Sequence, residues 1–279
     1  MPELPEVESF RQKFLHGSDE NSSLVGRQIL SVALLWDPTL ASPSPKEFTN
    51  RIIGQTIQDI GRRGKYLLIR LSDDVLAIHL RMSGDLLVEA ITEMIAKHHR
   101  LLLNLDNGTR LVFNDTRKFG RVWLTEDIDT LLSPLGPEPL DQTFTQEVFY
   151  TKLQTRNRQI KPLLLDQHFL AGLGNIYTDE ALFWAGIHPQ TIAKSITFQQ
   201  AQELWAGIRL VLQEGIRRNG ASIDWVYRGG DFQNYFQVYG RTGEACTRCN
   251  TPIERIIVGQ RSTHFCPNCQ PKQVEVEIT

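Results

Sequence analysis

The chain opens Met1-Pro2-Glu3-Leu4-Pro5-Glu6, with a proline in second place. Removal of Met1 would leave Pro2 as a terminal secondary amine. An α-amino group titrates near ~8, against ~10.4 for a lysine side chain. A sizeable fraction is therefore unprotonated at neutral pH and able to attack an electrophilic carbon. Glu3, one residue further on, offers a carboxylate for proton transfer. A lone Met-Pro leader is more often inert than reactive, so this chemistry needs support from the rest of the chain.

A second set of reactive side chains lies at the other end. All four cysteines fall in two pairs, Cys246-x2-Cys249 and Cys266-x2-Cys269, with 16 residues between them. This is the spacing of a four-cysteine zinc site. Two redox dithiols or two disulfides would use the same residues. An intracellular chain disfavours disulfides, and no βαβ surroundings favour thioredoxin-like chemistry. The expectation is one structural zinc per chain, held by Cys246, Cys249, Cys266 and Cys269. Four sulfur ligands leave no open coordination position, so such a metal holds a fold and catalyses nothing. Residues Pro252–Val258 read as one strand of a hairpin between the pairs. Arg261 sits on the return strand, where its guanidinium could grip a phosphate bidentately.

The elements that must position these groups follow from composition and pattern. The chain has 279 residues, 41% hydrophobic and 22% charged, enough for one large or two medium domains. It contains no apolar run of membrane-spanning length and no basic-then-apolar leader, so a cytosolic location is expected. Its formal net charge of −2 speaks weakly against nucleic acid. The distribution speaks the other way: Arg62, Arg63 and Lys65 cluster, as do Arg117, Lys118 and Arg121, and then Arg156, Arg158 and Lys161. A near-neutral protein with one basic face can bind DNA. Residues 50 to 124 read as antiparallel strands. Tyr66–Leu71 and Val75–Leu80 flank Ser72-Asp73-Asp74, and Leu101–Leu105 and Arg110–Phe113 flank an Asn107-Gly108 turn. Residues 6 to 15 read as a helix against them. Ser133-Pro134, Gly136-Pro137 and Glu138-Pro139 mark a linker. Beyond it, Ala201, Leu204, Trp205, Ile208, Val211 and Leu212 keep helical spacing, with Thr197 and Gln200 as a capping box and Gly220 as a stop.

Seven stretches in order, completed by the cysteines, resemble the bacterial-type formamidopyrimidine-DNA glycosylase family: Pro2–Glu8, Gly64–Leu67, His79–Gly84, Asn114–Gly120, Leu135–Leu140, Ala171–Tyr177 and Val238–Arg241. The resemblance covers nearly the whole chain. Leu4 and Val7 point to this branch and away from the endonuclease VIII branch, which typically carries Gly at the position of Leu4. The family fold implied is α+β: an N-terminal antiparallel β-sandwich with flanking helices, then a helical helix–two-turn–helix domain with a zinc-bound β-hairpin. The boundaries expected are a sandwich domain over 1–132, a linker over 133–150, and the helix–two-turn–helix over 151–225. A connector with the lesion-covering loop would take 226–244, the zinc finger 245–271 and a tail 272–279.

The activity implied is excision of oxidised purines from duplex DNA and cleavage of the abasic site. By resemblance, Pro2 is the nucleophile, Glu3 shuttles protons, Glu6 positions the terminus and Lys65 contacts a phosphate near the reacting sugar. Flipping a base out of the stack leaves a hole to fill, and Met82, Arg117 and Phe119 match the family's void-filling set. His79, Lys161, Asn175 and Tyr239 carry over as further DNA contacts. The partner implied is double-stranded DNA with damaged bases, bound by a monomer in the bacterial cytoplasm at the nucleoid. The stretch from Ser222 to Tyr239 departs from the family. It is a few residues short, carries Asp224 where a basic residue is common, and offers Trp225 and Tyr227 for stacking. This bears on lesion preference. The rival readings are the same class of enzyme turned towards oxidised pyrimidines, and a catalytically silent protein that binds damaged DNA.

Overall fold

A computed structural model describes residues 1–17, 22–222 and 229–272. The chain forms two compact units: Met1–Pro134 with Asn219–Gly230, and Leu135–Arg218 with Asp231–Thr279. None of the helices among the described residues is long and apolar enough to cross a membrane.

The first unit starts with helix α1 (Leu4–His16), two residues longer at its start than the apolar pattern alone suggests. Among the described residues nine strands follow: β1 (Ile29–Leu34), β2 (Leu40–Ser42), β3 (Ile57–Arg63), β4 (Tyr66–Leu71), β5 (Val75–His79), β6 (Gly84–Ala90), β7 (His99–Leu105), β8 (Thr109–Asp115) and β9 (Arg121–Thr125). Helix α2 (Pro45–Ile52) lies between β2 and β3, and the short α3 (Ile128–Leu132) follows β9. The strands make two sheets, ordered β1-β7-β8-β6 and β2-β9-β5-β4-β3. Every pairing in them is antiparallel except β2 with β9, which is parallel. The sheets share one core. Leu86, Leu101, Leu103, Leu111 and Phe113 from the first meet Ile60, Leu67, Ile69, Leu76 and Ile78 from the second, and Val7, Phe10 and Phe14 of α1 join them. The α+β sandwich implied by the family resemblance is therefore the observed one. The Asn107-Gly108 turn joins β7 to β8, with Gly108 at φ 76° and the Asn107 amide oxygen accepting from Thr109 N–H.

The second unit contains α4 (Gln146–Gln154), α5 (Ile160–Leu164), α6 (Asn175–Trp184) and the long α7 (Phe198–Arg217), then the hairpin β10 (Glu254–Val258) and β11 (Arg261–Phe265). The expected capping box starts α7: Thr197 N–H donates to Gln200 Oε1 at 3.0 Å and Gln200 N–H to Thr197 Oγ1 at 3.3 Å. The linker reading of 133–150 needs correction. Residues from Leu135 onward belong to the second unit, and Thr145 caps α4 within the supposed linker. The proline-rich stretch is packed: Gly136 N–H donates to the Gln167 carbonyl at 2.8 Å and Ala171 N–H to that of Pro137 at 3.0 Å. Proline and glycine mark backbone that forms no regular ladder; here its polar groups find partners far along the chain. Likewise, residues 219–222, assigned from sequence to the helical domain, cluster with the first unit.

Candidate active site and metal centre

The amino terminus is held by its own helix. Glu3 is the N-cap of α1; its carboxylate accepts from the N–H of Glu6, and its own N–H donates to Glu6 Oε2 at 2.7 Å. This reciprocal cap satisfies two helix-end donors and fixes both carboxylates in the buried first turn. The other oxygen of Glu6, Oε1, accepts from Ala221 N–H at 2.8 Å. Gly220 beside it sits at φ 80°, and a Cβ there would come within 2.6 Å of the Glu6 carboxylate. Glu6 thus binds the chain next to Pro2 to the segment leading into residues 223–228. Ser222 Oγ donates to the Gly230 carbonyl at 2.8 Å and accepts from Gly230 N–H at 2.9 Å. Asp224, Trp225 and Tyr227 lie outside the described residues.

Lys65 is buried, directly after Gly64 (φ 56°) in the β3–β4 turn. Arg62 braces this turn by donating to the Gly64 carbonyl at 3.0 Å, and pairs with Glu8 of α1 at 3.0 Å. Burial pushes the Glu8 carboxyl up, but hydrogen bonds from Arg11 and Arg62 outweigh it and leave the group below its ordinary value. The Glu8–Arg62 pair therefore couples α1 to the turn that carries Lys65.

His79 ends β5 and packs edge-on against Tyr66, with ring centroids 4.8 Å apart. Burial, with the charges of Arg81 and Lys65, lowers it to about 3. The ring is neutral, and its Nδ1 accepts from Arg81 N–H at 3.0 Å. The proton therefore resides on Nε2, which leaves a neutral N–H donor. Met82 is half-buried, whereas Arg117 and Phe119 are exposed, the guanidinium lying 5.0 Å from the Phe119 ring centroid. Lys118 between them sits over Trp36, with Nζ 3.8 Å from the ring centroid.

In the second unit Asn175 opens α6 and donates from Nδ2 to the Ser262 carbonyl at 2.9 Å. Lys161 does not reach solvent: its side chain is 0% exposed, as is that of its partner Asp179, 2.6 Å away. Its ammonium also donates to the Ser262 carbonyl at 3.0 Å, and Asp179 Oδ2 accepts from His264 N–H at 2.9 Å. The expectation that Lys161 contacts a phosphate is corrected here. Its charge is spent inside the unit, anchoring β11 to α5 and α6. Arg261, at the head of β11, is exposed. Tyr239 is half-buried, edge-on to His264, with its N–H on Glu180 Oε1 at 2.8 Å. Glu180 also accepts from Gln237 N–H at 2.9 Å and Val238 N–H at 3.0 Å, so one buried carboxylate fixes the irregular segment entering the metal module. Burial raises its pKa despite these bonds. Sequence reading passed over Asp179 and Glu180. Two adjacent acids inside the apolar run of α6 were the available signal.

The four cysteine sulfurs lie within 4.8 Å of one another. Individual separations are 3.5 Å for Cys249–Cys266 and Cys249–Cys269, and 3.8 Å for Cys246–Cys269. A tetrahedron with Zn–S bonds of ~2.3 Å has edges of about 3.8 Å. The donor set therefore fits zinc, and the thiols are not joined as disulfides. Hydrogen bonds from Thr251 and Asn268 pull Cys249 down to about 5, while burial pushes Cys266 and Cys269 up. Four crowded thiols can ionise together only around a cation.

Three family models match this chain in sequence order. They are the formamidopyrimidine-DNA glycosylase N-terminal domain over residues 1–122, that family's H2TH domain over 135–226, and a zinc finger found in FPG and IleRS over 243–272. A formamidopyrimidine-DNA glycosylase of Chloroflexus aurantiacus is 49% identical over 97% of this chain and 98% of its own length.

The chain belongs to the formamidopyrimidine-DNA glycosylase family.

Another member of the family, from Protochlamydia amoebophila, is 41% identical over 98% of this chain and 100% of its own. Among solved structures, a mutant Lactococcus lactis FPG bound to DNA containing Fapy-dG superposes with a TM-score of 0.90 at 37% identity, covering 97% of this chain and 100% of that one. The Lactococcus lactis Fpg in complex with abasic-site DNA gives 0.89 at 37% identity, with the same coverage. In this formamidopyrimidine-DNA glycosylase family member, Glu3, Glu6 and Lys65 are buried groups of the first unit, while Arg117, Phe119 and Arg261 are presented to solvent.

Proposed function

We propose that this protein is a bifunctional DNA glycosylase and abasic-site lyase that excises oxidised purines, formamidopyrimidines and 8-oxoguanine, from duplex DNA. The observation that carries the reading is the double clamp of Glu6, which holds the Glu3 backbone beside Pro2 and the Ala221 backbone beside residues 223–228. A capped helix needs only the first of these contacts. The second ties the amine's neighbour to the segment that, in this family, covers a flipped base.

With Met1 removed, the Pro2 nitrogen attacks C1′ of the damaged nucleotide, and the base departs with the C1′–N bond electrons and a proton. The product is an aminal at C1′; the C1′–O4′ bond then breaks, O4′ takes a proton, and the ring-opened sugar is left as an iminium on the proline nitrogen. It acidifies the sugar C2′ proton, whose loss expels the 3′ phosphate by β-elimination, and δ-elimination then releases the 5′ phosphate. Glu3 carries protons at the sugar from a helix N-terminus, where N–H donors favour its charged form. Lys65 and the neutral N–H of His79 hold phosphates near that sugar. Met82, Arg117 and Phe119 fill the vacated stack, and Arg117 can read the unpaired base opposite. Asn175, Tyr239 and Arg261 hold the backbone from the second unit. Zinc on Cys246, Cys249, Cys266 and Cys269 stabilises the module that presents Arg261 and takes no part in the reaction. The protein acts in the bacterial cytoplasm at the nucleoid, where reduced thiols are available for zinc.

The test is product release from a duplex with one 8-oxoguanine opposite cytosine, compared between wild type and Pro2→Gly. Wild type should release base and cleave the strand, and Pro2→Gly should bind the duplex without cleaving it. Binding without release by both proteins would favour a damaged-DNA-binding protein. Release from oxidised-pyrimidine DNA alone would move the substrate class.

A further inference from the structure

The three residues proposed to fill the emptied stack sit on two turns of the first unit. Met82 is on the turn Arg81–Ser83 before β6, and Arg117 and Phe119 are on the turn Thr116–Gly120 after β8. The turns emerge from one end of the β6–β8 ladder, where Gly84 pairs with Asp115. Each holds a non-glycine residue in the left-handed region, Arg81 at φ 55° and Lys118 at φ 63°. Side chains rarely adopt this conformation unless their surroundings enforce it.

The enforcing groups lie beneath. Asp115 is 1% exposed. Its Oδ1 accepts from the Ser83 hydroxyl of one turn and, at 3.2 Å, from Arg117 N–H of the other. Its Oδ2 accepts from Gly120 N–H at 2.8 Å. Arg117 N–H is also 3.1 Å from Ser83 Oγ, so hydroxyl and carboxylate share it. Phe113 is a common floor. A Cβ on Gly84 would come within 2.9 Å of its ring, and one on Gly120 within 2.2 Å. Behind the carboxylate, Asp115 N–H donates to the His98 carbonyl at 2.9 Å and Arg100 Nε to the Asp115 carbonyl at 2.8 Å.

We infer that Ser83 and Asp115 are positioning residues that lock the two turns into one wedge. The inference rests on the proposed function, because it assigns these turns to the step that displaces a paired base. A wedge that parts stacked bases works only if its tip cannot yield separately on its two turns. At the tip, Arg117 stacks on Phe119 and Lys118 on Trp36, and Arg121 donates to the Lys118, Phe119 and Gly120 carbonyls, all within one turn or outside the other. The buried clasp supplies the stiffness, through three donors drawn from both turns onto one carboxylate. Asp115→Asn keeps the shape but turns one acceptor into a donor, which must oppose either Gly120 N–H or the Ser83 and Arg117 donors. Ser83→Ala removes the link between the turns and leaves the carboxylate in place.

The experiment measures single-turnover excision from a lesion duplex beside borohydride trapping on a preformed abasic site in single-stranded DNA, which has no pair to open. Ser83→Ala and Asp115→Asn are each compared with wild type, with Arg117→Ala, and as doubles with Arg117→Ala. Duplex excision should fall by about tenfold or more in either variant, while trapping on the single strand falls far less. Each double should be little slower than Arg117→Ala, because residues that act through one element are not additive. Equal loss on both substrates, or loss that multiplies in the doubles, overturns the inference. If Asp115→Asn does not fold, Ser83→Ala decides alone, with its melting temperature as control. A wild type inactive on both DNAs refutes the proposed function instead, and is read before any variant.

Discussion

Replacing Lys161 should damage stability and leave the electrostatics of DNA binding untouched. Its ammonium and the Asp179 carboxylate form a pair with both side chains 0% exposed, 2.6 Å apart. Lys161→Met keeps the volume of the stem but leaves Asp179 Oδ1 buried without its cation and removes one of the two side-chain donors on the Ser262 carbonyl. Breaking one side of a buried pair costs about 3–5 kcal/mol. A phosphate contact would behave differently: each one contributes about 0.9 to the slope of log affinity against log salt. The assay is therefore paired, thermal melting of the free protein together with DNA affinity from about 50 to 200 mM salt. Lys161→Met should lower the melting temperature by several degrees or more and leave the salt slope at its wild-type value. Arg261→Ala, at an exposed position, should do the reverse, reducing the slope by about one. The companion double Lys161→Met with Asp179→Leu should recover much of the stability, since an apolar pair can replace a buried ion pair. A Lys161→Met protein with unchanged melting and a slope reduced by about one would refute the buried-pair reasoning.

His79 titrates at about 3 in the folded protein, far below its unfolded value. The unfolded chain then binds more protons below about pH 6.5, so stability falls as pH drops from there towards 3, by up to about 1.4 kcal/mol per unit. Melting followed against pH should show a shallower acid decline in His79→Gln than in wild type. Chelation of zinc, or Cys249→Ser, should drop metal content by mass spectrometry from one ion per chain and weaken duplex binding. Pro2 trapping on a single-stranded abasic site should survive better. Gly215→Ala should destabilise α7 although alanine is the better helix former by ~1 kcal/mol: the new Cβ would lie 2.5 Å from the buried Tyr177 ring, an overpacking cost of about 1–3 kcal/mol. Calorimetry should show a lower melting temperature; a rise would mean that Tyr177 moves freely aside.

Local chemistry was legible in the sequence, and long-range pairing was not. The cysteine pairs declare a metal site because each ligand pair sits on one short turn, and the fold brings the two pairs together, with all four sulfurs within 4.8 Å of one another. The Asn107-Gly108 hairpin and the Thr197–Gln200 cap were readable for the same reason. Lys161 was misread because its neighbours in sequence are basic, whereas its partner Asp179 lies 18 residues away and its second acceptor, Ser262, 101. The prolines of 134–139 were misread as a free linker because their partners near Gln167 and Ala171 are remote. Ser83 and Asp115 lie 32 residues apart and join only when β6 pairs with β8. Glu6 was placed near the terminus by resemblance, yet its second contact, 215 residues away, could be seen only in the fold.

The central claim is that the terminal amine of Pro2 does the chemistry. Purified protein, shown by intact mass to lack Met1, is incubated with an 8-oxoguanine duplex and with an abasic duplex, reduced with borohydride, and digested for peptide mass mapping. A covalent adduct on Pro2 with both DNAs is the predicted result. An adduct on a lysine, or none with either DNA, would contradict it.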